Sequence, residues 1–295
     1  MRWQGEVIFT SGASEALQIG LLRSRAEITL VSSVEHDSVF QLVPDAVHIP
    51  VNKDGSLNID FLSEKLGSRS AVVAVQHINS ETGNRQNINL IKKIVTDLGG
   101  MLLVDCSQST GKIDIPNCDM AIVSAHKFGG PIGVGALLVR DYDLLTPSGG
   151  HERGYRRGTE NLPGILGMSA ALIDCKRPYV QKTVLEPLLQ LSEDCRSLGG
   201  LWLSDHLADP NPLICAISMP NLSAASQVVQ FDLRSISVSQ GSACSSGTMK
   251  RSNVMSAMQL DESWSDKIIR VSFGWSTTRA DVEQFCNVWL DLAKS

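Results

Sequence analysis

The chain has 295 residues, enough for about two domains of ordinary size. Hydrophobic residues make up 43% of the sequence and charged residues 19%, a composition typical of globular proteins and too apolar for a disordered chain. The 26 basic and 31 acidic residues give a net charge of −5, which argues against nucleic acid or an anionic membrane surface as the main partner.

Short β-branched runs alternate with helical patterns through the first half of the chain. We predict strands at Glu6–Phe9, Ile28–Ser32, Val47–Val51, Ala71–Gln76, Met101–Asp105, Met120–Val123 and Val134–Val139. Helices are predicted at Ser14–Leu22, Asp60–Leu66 and Leu90–Leu98. This alternation predicts an α/β fold with a mainly parallel sheet covered on both faces.

The pattern changes in the second half of the chain. A polar, Gly-rich loop, SGGHERGYRRGTEN, leads into a helical stretch from about Leu162. After Arg177 a smaller set of strands and helices follows and ends in a helix at Asp281–Ala293. We therefore predict a large domain at 1–176 and a smaller α/β domain at 177–295.

Chemically capable side chains follow four of the predicted strands. They lie in the segments Ser11–Ser14, His77–Glu81, Asp105–Gln108 and Ser124–Lys127. Ligands of parallel sheets bind outside the carboxyl ends of the strands, so these segments predict one site at that edge.

Lys127 stands in the Gly-rich run SAHKFGG at a strand end. Its amine could form a Schiff base, although a lone loop lysine is more often solvated. Asp105, at the end of a neighbouring strand, is the carboxylate that keeps a pyridine nitrogen protonated in pyridoxal-phosphate enzymes, and Gln108 could donate to the ring oxygen. Taken alone, Asp105 is more often a cap or turn residue.

The run Thr10–Glu15 leads from a strand through small residues into a helix. Such a turn can hold a phosphate through free backbone N–H groups and the Ser14 hydroxyl, or Ser11 or Ser14 can simply cap the helix. His36 could stack on a planar ring, although a lone histidine is more often structural.

Cys244 lies in GSACSSG, among small polar residues and glycines, which is the profile of a reactive thiol. The seven cysteines are scattered and form no CxxC, so neither a disulfide framework nor a metal site is predicted. Arg270 is a charge inside a strand-like run and could hold a substrate carboxylate. No apolar run is long enough to span a membrane and the start of the chain is unlike a signal peptide, so we expect a cytoplasmic protein.

These motifs together resemble the cysteine desulfurases of the NifS/IscS type, which are pyridoxal-phosphate enzymes of the class V aminotransferase-like fold (fold type I). The matching runs, in family order, are FTSGASEA, EHDSV, NSETG, VDCSQSTGK, SAHKFGGPIGVGAL, GGHERGYRRGTEN, GSACSSG and IRVSFG. The resemblance covers nearly the whole chain. It implies a homodimer that removes sulfur from L-cysteine and leaves L-alanine and a persulfide on Cys244. The sulfur then passes to an acceptor protein, either a scaffold for iron–sulfur clusters or a tRNA-thiolation factor.

The resemblance also implies residue roles. Lys127 carries the cofactor as a Schiff base and shuttles a proton, and His36 stacks on the ring and assists proton transfer. The other implied cofactor ligands are Ala13, Ser14, Ser80, Asp105, Gln108, Ser124, His126 and, from a second subunit, Thr159. Arg270 binds the substrate carboxylate.

The sequence departs from the family pattern at three points, one of which is a short stretch between Arg140 and Gly149. A segment with a strand and Asn/Thr-rich residues usually precedes FTSG, which starts here at Phe9, so we expect that part of the substrate pocket to be absent. Ser80 occupies the position of an asparagine that faces the ring. Two alternative functions stay open: a related lyase or aminotransferase, such as one acting on selenocysteine, and an inactive homologue that serves as a binding partner.

Overall fold

The computed structural model describes residues 3–67, 69–175, 177–241 and 252–295. The chain divides into two compact units. The first comprises Met1–Pro50, Leu57–Ile78 and Gln86–Arg177, and the second comprises Val51–Ser56, Asn79–Arg85 and Pro178–Ser295. The predicted boundary between 176 and 177 stays a prediction.

The first unit alternates strands and helices as the sequence predicts. Its strands are β1 (Glu6–Thr10), β2 (Ile28–Ser32), β3 (Val47–Ile49), β4 (Ala71–Gln76), β5 (Met101–Asp105), β6 (Met120–Ser124) and β7 (Gly135–Val139). Its α-helices are α1 (Ala13–Leu22), α2 (Asp37–Leu42), α3 (Ile59–Leu66), α4 (Ile88–Asp97) and α5 (Leu162–Asp174), with single 3₁₀ turns at Ala125–Phe128, Tyr142–Leu144 and Glu152–Gly154. Every predicted element of this unit is confirmed to within two residues. Helix α2 was not predicted, because six residues are too few to show a helical period.

The seven strands form one sheet in the order β1-β7-β6-β5-β4-β2-β3. Strands β3, β2, β4, β5 and β6 run parallel, whereas β7 is antiparallel to both of its neighbours. Strand β1 therefore points the same way as the parallel strands, and its carboxyl end lies at the same edge. The predicted α/β fold with a mainly parallel sheet is confirmed.

One face of this sheet packs against α1. Buried side chains of six strands, among them Ile8, Leu103, Ile122 and Leu137, share a core with Leu17 of α1. Burying each such side chain stabilises the fold by about 1.5–3 kcal/mol. Strands covered on both faces read as continuous apolar runs, which is why this sequence shows them clearly.

The second unit contains a four-stranded antiparallel sheet in the order β10-β11-β9-β8. The strands are β8 (Leu201–Trp202), β9 (Ile214–Ser218), β10 (Ser239–Gln240) and β11 (Ile268–Ser272). The helices are α6 (Lys182–Leu185), α7 (Pro187–Ser197), α8 (Ala224–Asp232), α9 (Asn253–Ala257), α10 (Glu262–Ser265) and α11 (Arg279–Lys294), with a 3₁₀ turn at Leu203–His206.

The last helix anchors the core of this second unit. Thr278 and Asp281 form a reciprocal capping box at the start of α11, and Phe285 and Trp289 bury their rings against the sheet. Within the described ranges, no helix is both long and apolar enough to cross a bilayer. Among the same residues, no cluster of three His, Cys, Asp or Glu side chains could hold a metal ion.

Candidate active site

The α1-facing side of the large sheet changes from apolar to polar at its carboxyl edge. Gln76 pairs with Asp105, which pairs with Ile122, while Gly135 pairs with both Thr10 and Ser124. Residues in register point to the same face, and so do residues two apart along a strand. The side chains of Thr10, Gln76, Asp105 and Ser124 therefore share one face, beyond the apolar core.

Asp105 ends β5 and begins a turn. Its Oδ1 accepts a hydrogen bond from the Ser107 backbone N–H at 2.8 Å, so the turn role is present. Its backbone carbonyl accepts from the His77 N–H at 2.9 Å. The hydroxyl of Ser107 is buried without a hydrogen-bond partner in the protein, which leaves an unsatisfied polar atom directly beside Asp105.

Lys127 lies in the single 3₁₀ turn that directly follows β6. Ser124 is the N-cap of this turn, yet its buried side chain makes no capping hydrogen bond. His126 and Lys127 are both exposed. Partial burial and the neighbouring Lys127 ammonium lower the pKa of His126, which keeps its imidazole neutral.

The turn before α1 leaves the start of that helix open. Its N-cap is Gly12, with no side-chain capping bond, so the alternative in which Ser11 or Ser14 caps the helix is wrong. The first N–H groups of a helix lack intrahelical partners and attract anions. A side chain at Gly12 would meet no atom within 4 Å, so the space above the turn is open. The amides of Ala13 and Ser14 at this end suit a phosphate group.

Gly135 brings this turn close to the end of β6. A Cβ atom at Gly135 would lie 2.5 Å from the Val123 carbonyl oxygen and 2.9 Å from the Gly12 Cα. Only glycine therefore permits the carboxyl ends of β1 and β6 to approach so closely.

A half-buried ion pair holds the same turn. Arg156 Nε donates to Glu15 Oε1 at 2.9 Å, and the Ser11 N–H donates to Glu15 Oε2. Burial opposes ionisation of Glu15, but the bonds from Ser11 and Arg156 outweigh it, so the pKa of Glu15 is lowered. The acid is thereby neutralised by Arg156 beside a site for an anion.

Gln108 lies one short turn after Asp105. Lys112 Nζ donates to Gln108 Oε1 at 3.4 Å. Burial, and then the nearby Lys127 charge, lower the pKa of Lys112 to about 8. Lys112 thus donates a hydrogen bond to Gln108 and lies close enough to Lys127 for their charges to interact.

His36 begins α2. Its Nδ1 accepts from the Ser38 N–H at 3.2 Å and lies 2.8 Å from the Ser38 hydroxyl. His36 is the N-cap of α2, so contacts at the start of this helix, rather than contacts in the core, orient its imidazole.

The second unit holds Arg270 and Ser80. Arg270 lies on the inner strand β11, paired with Ser239 on one side and Ala216 on the other. Its Nη1 donates to the Ser80 carbonyl oxygen at 3.0 Å. A turn built on Asn79 holds Ser80, because Asn79 Oδ1 accepts from the N–H groups of Glu81 and Thr82.

Cys244 lies outside the described residues. Ser252, the first described residue after it, donates its hydroxyl to Glu81 Oε2 at 2.6 Å. The six described cysteines are free thiols. Thr159 is exposed in the segment before α5.

Comparison with known proteins identifies the family. The model of the class-V aminotransferase family matches residues 1–285. The chain belongs to that family.

Its relatives place this chain among the cysteine desulfurases. It is 31% identical to "Cysteine desulfurase IscS 1" of Archaeoglobus fulgidus, covering 96% of this chain and 80% of that protein. It is 33% identical to a cysteine desulfurase of Cereibacter sphaeroides, covering 96% and 78%. The structure of a NifS-like protein from Rickettsia africae superposes with a TM-score of 0.85 at 26% identity, over 98% of this chain and 82% of that one.

The residues present fit the pyridoxal phosphate on which this family depends. The open start of α1 and the uncommitted Ser124 hydroxyl suit a phosphate, and the Asp105 carboxylate suits a protonated ring nitrogen. The unsatisfied Ser107 hydroxyl lies beside that carboxylate, where a bound group could supply its missing partner. The donor set therefore matches an anionic aromatic cofactor.

Three residues of this class-V site were not predicted individually: Glu35, Lys112 and Arg156. Glu35 is 3% exposed, and its carboxyl group accepts from the Gln76 N–H. Two of them could have been found from the sequence, because Glu35 directly precedes His36 and Lys112 follows Gln108 by four residues. The partner of Arg156 lies 141 residues away, which no local pattern reveals.

Proposed function

We propose that the protein converts L-cysteine to L-alanine and keeps the sulfur as a persulfide on Cys244. The sulfur–carbon bond of the substrate breaks and a sulfur–sulfur bond to Cys244 forms. One cysteine and one enzyme thiol thus become one alanine and one enzyme persulfide, so atoms and electrons balance. The observation that carries the proposal is the shared polar face of Asp105 and Ser124, with Lys127 three residues beyond, in a chain of this family.

Pyridoxal phosphate, when bound, supplies an electron sink that lets the substrate release its sulfur. Asp105 would hold the proton on the ring nitrogen, and Gln108 would donate to the ring oxygen. Ala13, Ser14, Ser124 and His126 would hold the phosphate, together with Thr159 of a second subunit.

Lys127 would hold and move a proton at its Nζ, and His36 would stack on the cofactor ring. Arg270 binds the substrate carboxylate through its guanidinium group, which the Ser80 carbonyl orients. The Ser80 side chain takes the place of the family's asparagine. Cys244 attacks as a thiolate, a form that makes up only a few per cent of a free thiol with a pKa of ~8.5 at neutral pH.

A homodimer is supported by an apolar surface on the first unit. Ile132, Leu162, Leu166 and Ile173 are all at least 60% exposed, and the last three lie on α5. Apolar side chains clustered in this way mark an interaction surface. A second copy of this chain covers the surface, and the segment with Thr159 precedes it directly. A protein acceptor for the sulfur and a cytoplasmic location complete the proposal; iron–sulfur assembly and tRNA thiolation are both compatible with the acceptor's role.

The test is turnover of L-cysteine by protein loaded with pyridoxal phosphate, with a reductant present. We expect sulfide and alanine in equal amounts, and Lys127→Ala to slow both by roughly 100- to 10,000-fold. Cys244→Ala should abolish sulfide release while the visible absorbance of the cofactor remains. An aminotransferase would keep its rate in Cys244→Ala. Cofactor binding without turnover in the parent would overturn the proposed activity.

A further inference from the structure

Glu35 is an acid buried between β2 and β4. It follows the end of β2 and is 3% exposed. Its Oε1 accepts from the backbone N–H of Gln76, the last residue of β4, at 2.7 Å. This bond satisfies a buried donor at the strand end, where β2 has already turned away from its neighbour.

A second hydrogen bond, from Gln76, joins the same two segments. The side-chain amide of Gln76 donates to the backbone carbonyl of Val34, the residue before Glu35. These two hydrogen bonds join the end of β4 to the Val34–Glu35 segment. We call this pair of bonds the clamp. The next residue in the chain is His36, whose ring position depends on where this segment lies.

Gln76 also links the clamp to Asp105, because the two are register partners on β4 and β5. Burial first, and the Asp105 charge second, raise the pKa of Glu35 well above its usual value, so folding favours the protonated form of Glu35. An ionised Glu35 would instead compete with Asp105 for a cationic ring.

We propose that Glu35 is a positioning residue, which, together with Gln76, locks the segment before His36 onto β4 and fixes the position of the His36 ring at the carboxyl edge of the sheet. The role of that ring toward the cofactor rests on the proposed function. The clamp itself is a property of the protein without the cofactor.

The primary experiment follows the His36 imidazole in the apoprotein by NMR. The chain has six histidines, and His36→Gln identifies the signal. We expect Glu35→Leu to shift that signal and its titration midpoint, and Glu35→Gln to preserve both, because a neutral amide oxygen still accepts from Gln76. Gln76→Leu removes the other half of the clamp at similar volume, and serves if Glu35→Leu does not fold.

The second readout is the dissociation constant of pyridoxal phosphate. We expect the dissociation constant to be at least ten times larger in Glu35→Leu and to change less than threefold in Glu35→Gln. Ile49→Val, a fully buried site on the neighbouring β3, is the control for simple loss of stability and should leave both readouts unchanged.

Two results would overturn the proposal. One is an unchanged His36 signal in both clamp variants; the other is a Glu35→Gln variant as impaired as Glu35→Leu. Failure of the proposed function is a different result, since the parent protein would then turn over no L-cysteine while the His36 signals still responded to the clamp.

Discussion

Two carboxyl groups lie in different surroundings at the edge of the large sheet. Asp105 is partly exposed and bonded within its turn, whereas Glu35 is enclosed and accepts a backbone N–H. Burial first, and the charge of Asp105 second, raise the pKa of Glu35. The fold therefore favours the protonated form of Glu35.

This difference makes stability depend on pH through Glu35. In the unfolded chain, a glutamate loses its proton above about pH 4.3, whereas folded Glu35 keeps it because its pKa is raised. The contribution of Glu35 to the free energy of unfolding is fully present below that pH. It is lost as the pH rises toward the pKa of Glu35 in the folded state, by up to ~1.4 kcal/mol per pH unit. Glu35→Gln lacks this loss, so we expect it to gain stability relative to the parent between pH 5 and 7.

Urea unfolding at several pH values measures the effect. The control is Glu27→Gln, which removes an exposed carboxylate next to the start of β2. Its free energy of unfolding should change with pH in the same way as that of the parent. Parallel curves for Glu35→Gln and the parent would show that Glu35 is ionised in the folded protein.

At the scale of elements, β1, β6 and β7 converge at one glycine. Gly135 pairs with Thr10 and Ser124, and its missing side chain leaves room for the Gly12 turn. The two segments that we propose to hold the phosphate, with Ser14 after β1 and Ser124 at the end of β6, are held together there. Strand packing, rather than any single ligand, sets the spacing of these groups.

We expect Gly135→Ala to destabilise the protein by about 1–3 kcal/mol, because its methyl group would overlap backbone atoms of Val123 and Gly12. It should also weaken pyridoxal phosphate binding, as the turn moves away from Ser124. Urea unfolding and absorbance titration measure the two effects. Gly274→Ala, where a methyl group meets no atom within 4 Å, is the control. A Gly135→Ala variant as stable as the parent would contradict this account of the turn.

At the scale of the whole molecule, the apolar face of α5 points to a second copy of the chain. Leu166 is 61% exposed in the middle of that helix. If the proposed homodimer forms through this face, we expect Leu166→Glu to shift the protein from dimer to monomer. It should also weaken cofactor binding, because the contact proposed for Thr159 of a second subunit would be lost. Light scattering after gel filtration gives the mass. Leu189→Glu, an equally exposed site on α7, should leave a dimer; a dimeric Leu166→Glu would exclude this face as the interface.

The sequence by itself determined the strands of the large sheet and marked candidate site residues at their ends. Buried parallel strands are apolar over their whole length, so β2, β4 and β5 stand out, and polar residues at their ends mark the edge where ligands bind. Asp105 and Lys127 follow from that rule together with the chemistry of their side chains.

Only the tertiary structure decided how β1 and β7 pair, where Asn79–Arg85 belongs, and which partner Glu35 has. Glu35 meets Gln76 across 41 residues, and Glu15 meets Arg156 across 141. Local propensity acts over a few neighbouring residues, whereas these contacts depend on how distant segments pack. A buried carboxyl group looks the same in the sequence as an exposed one until the fold removes its water.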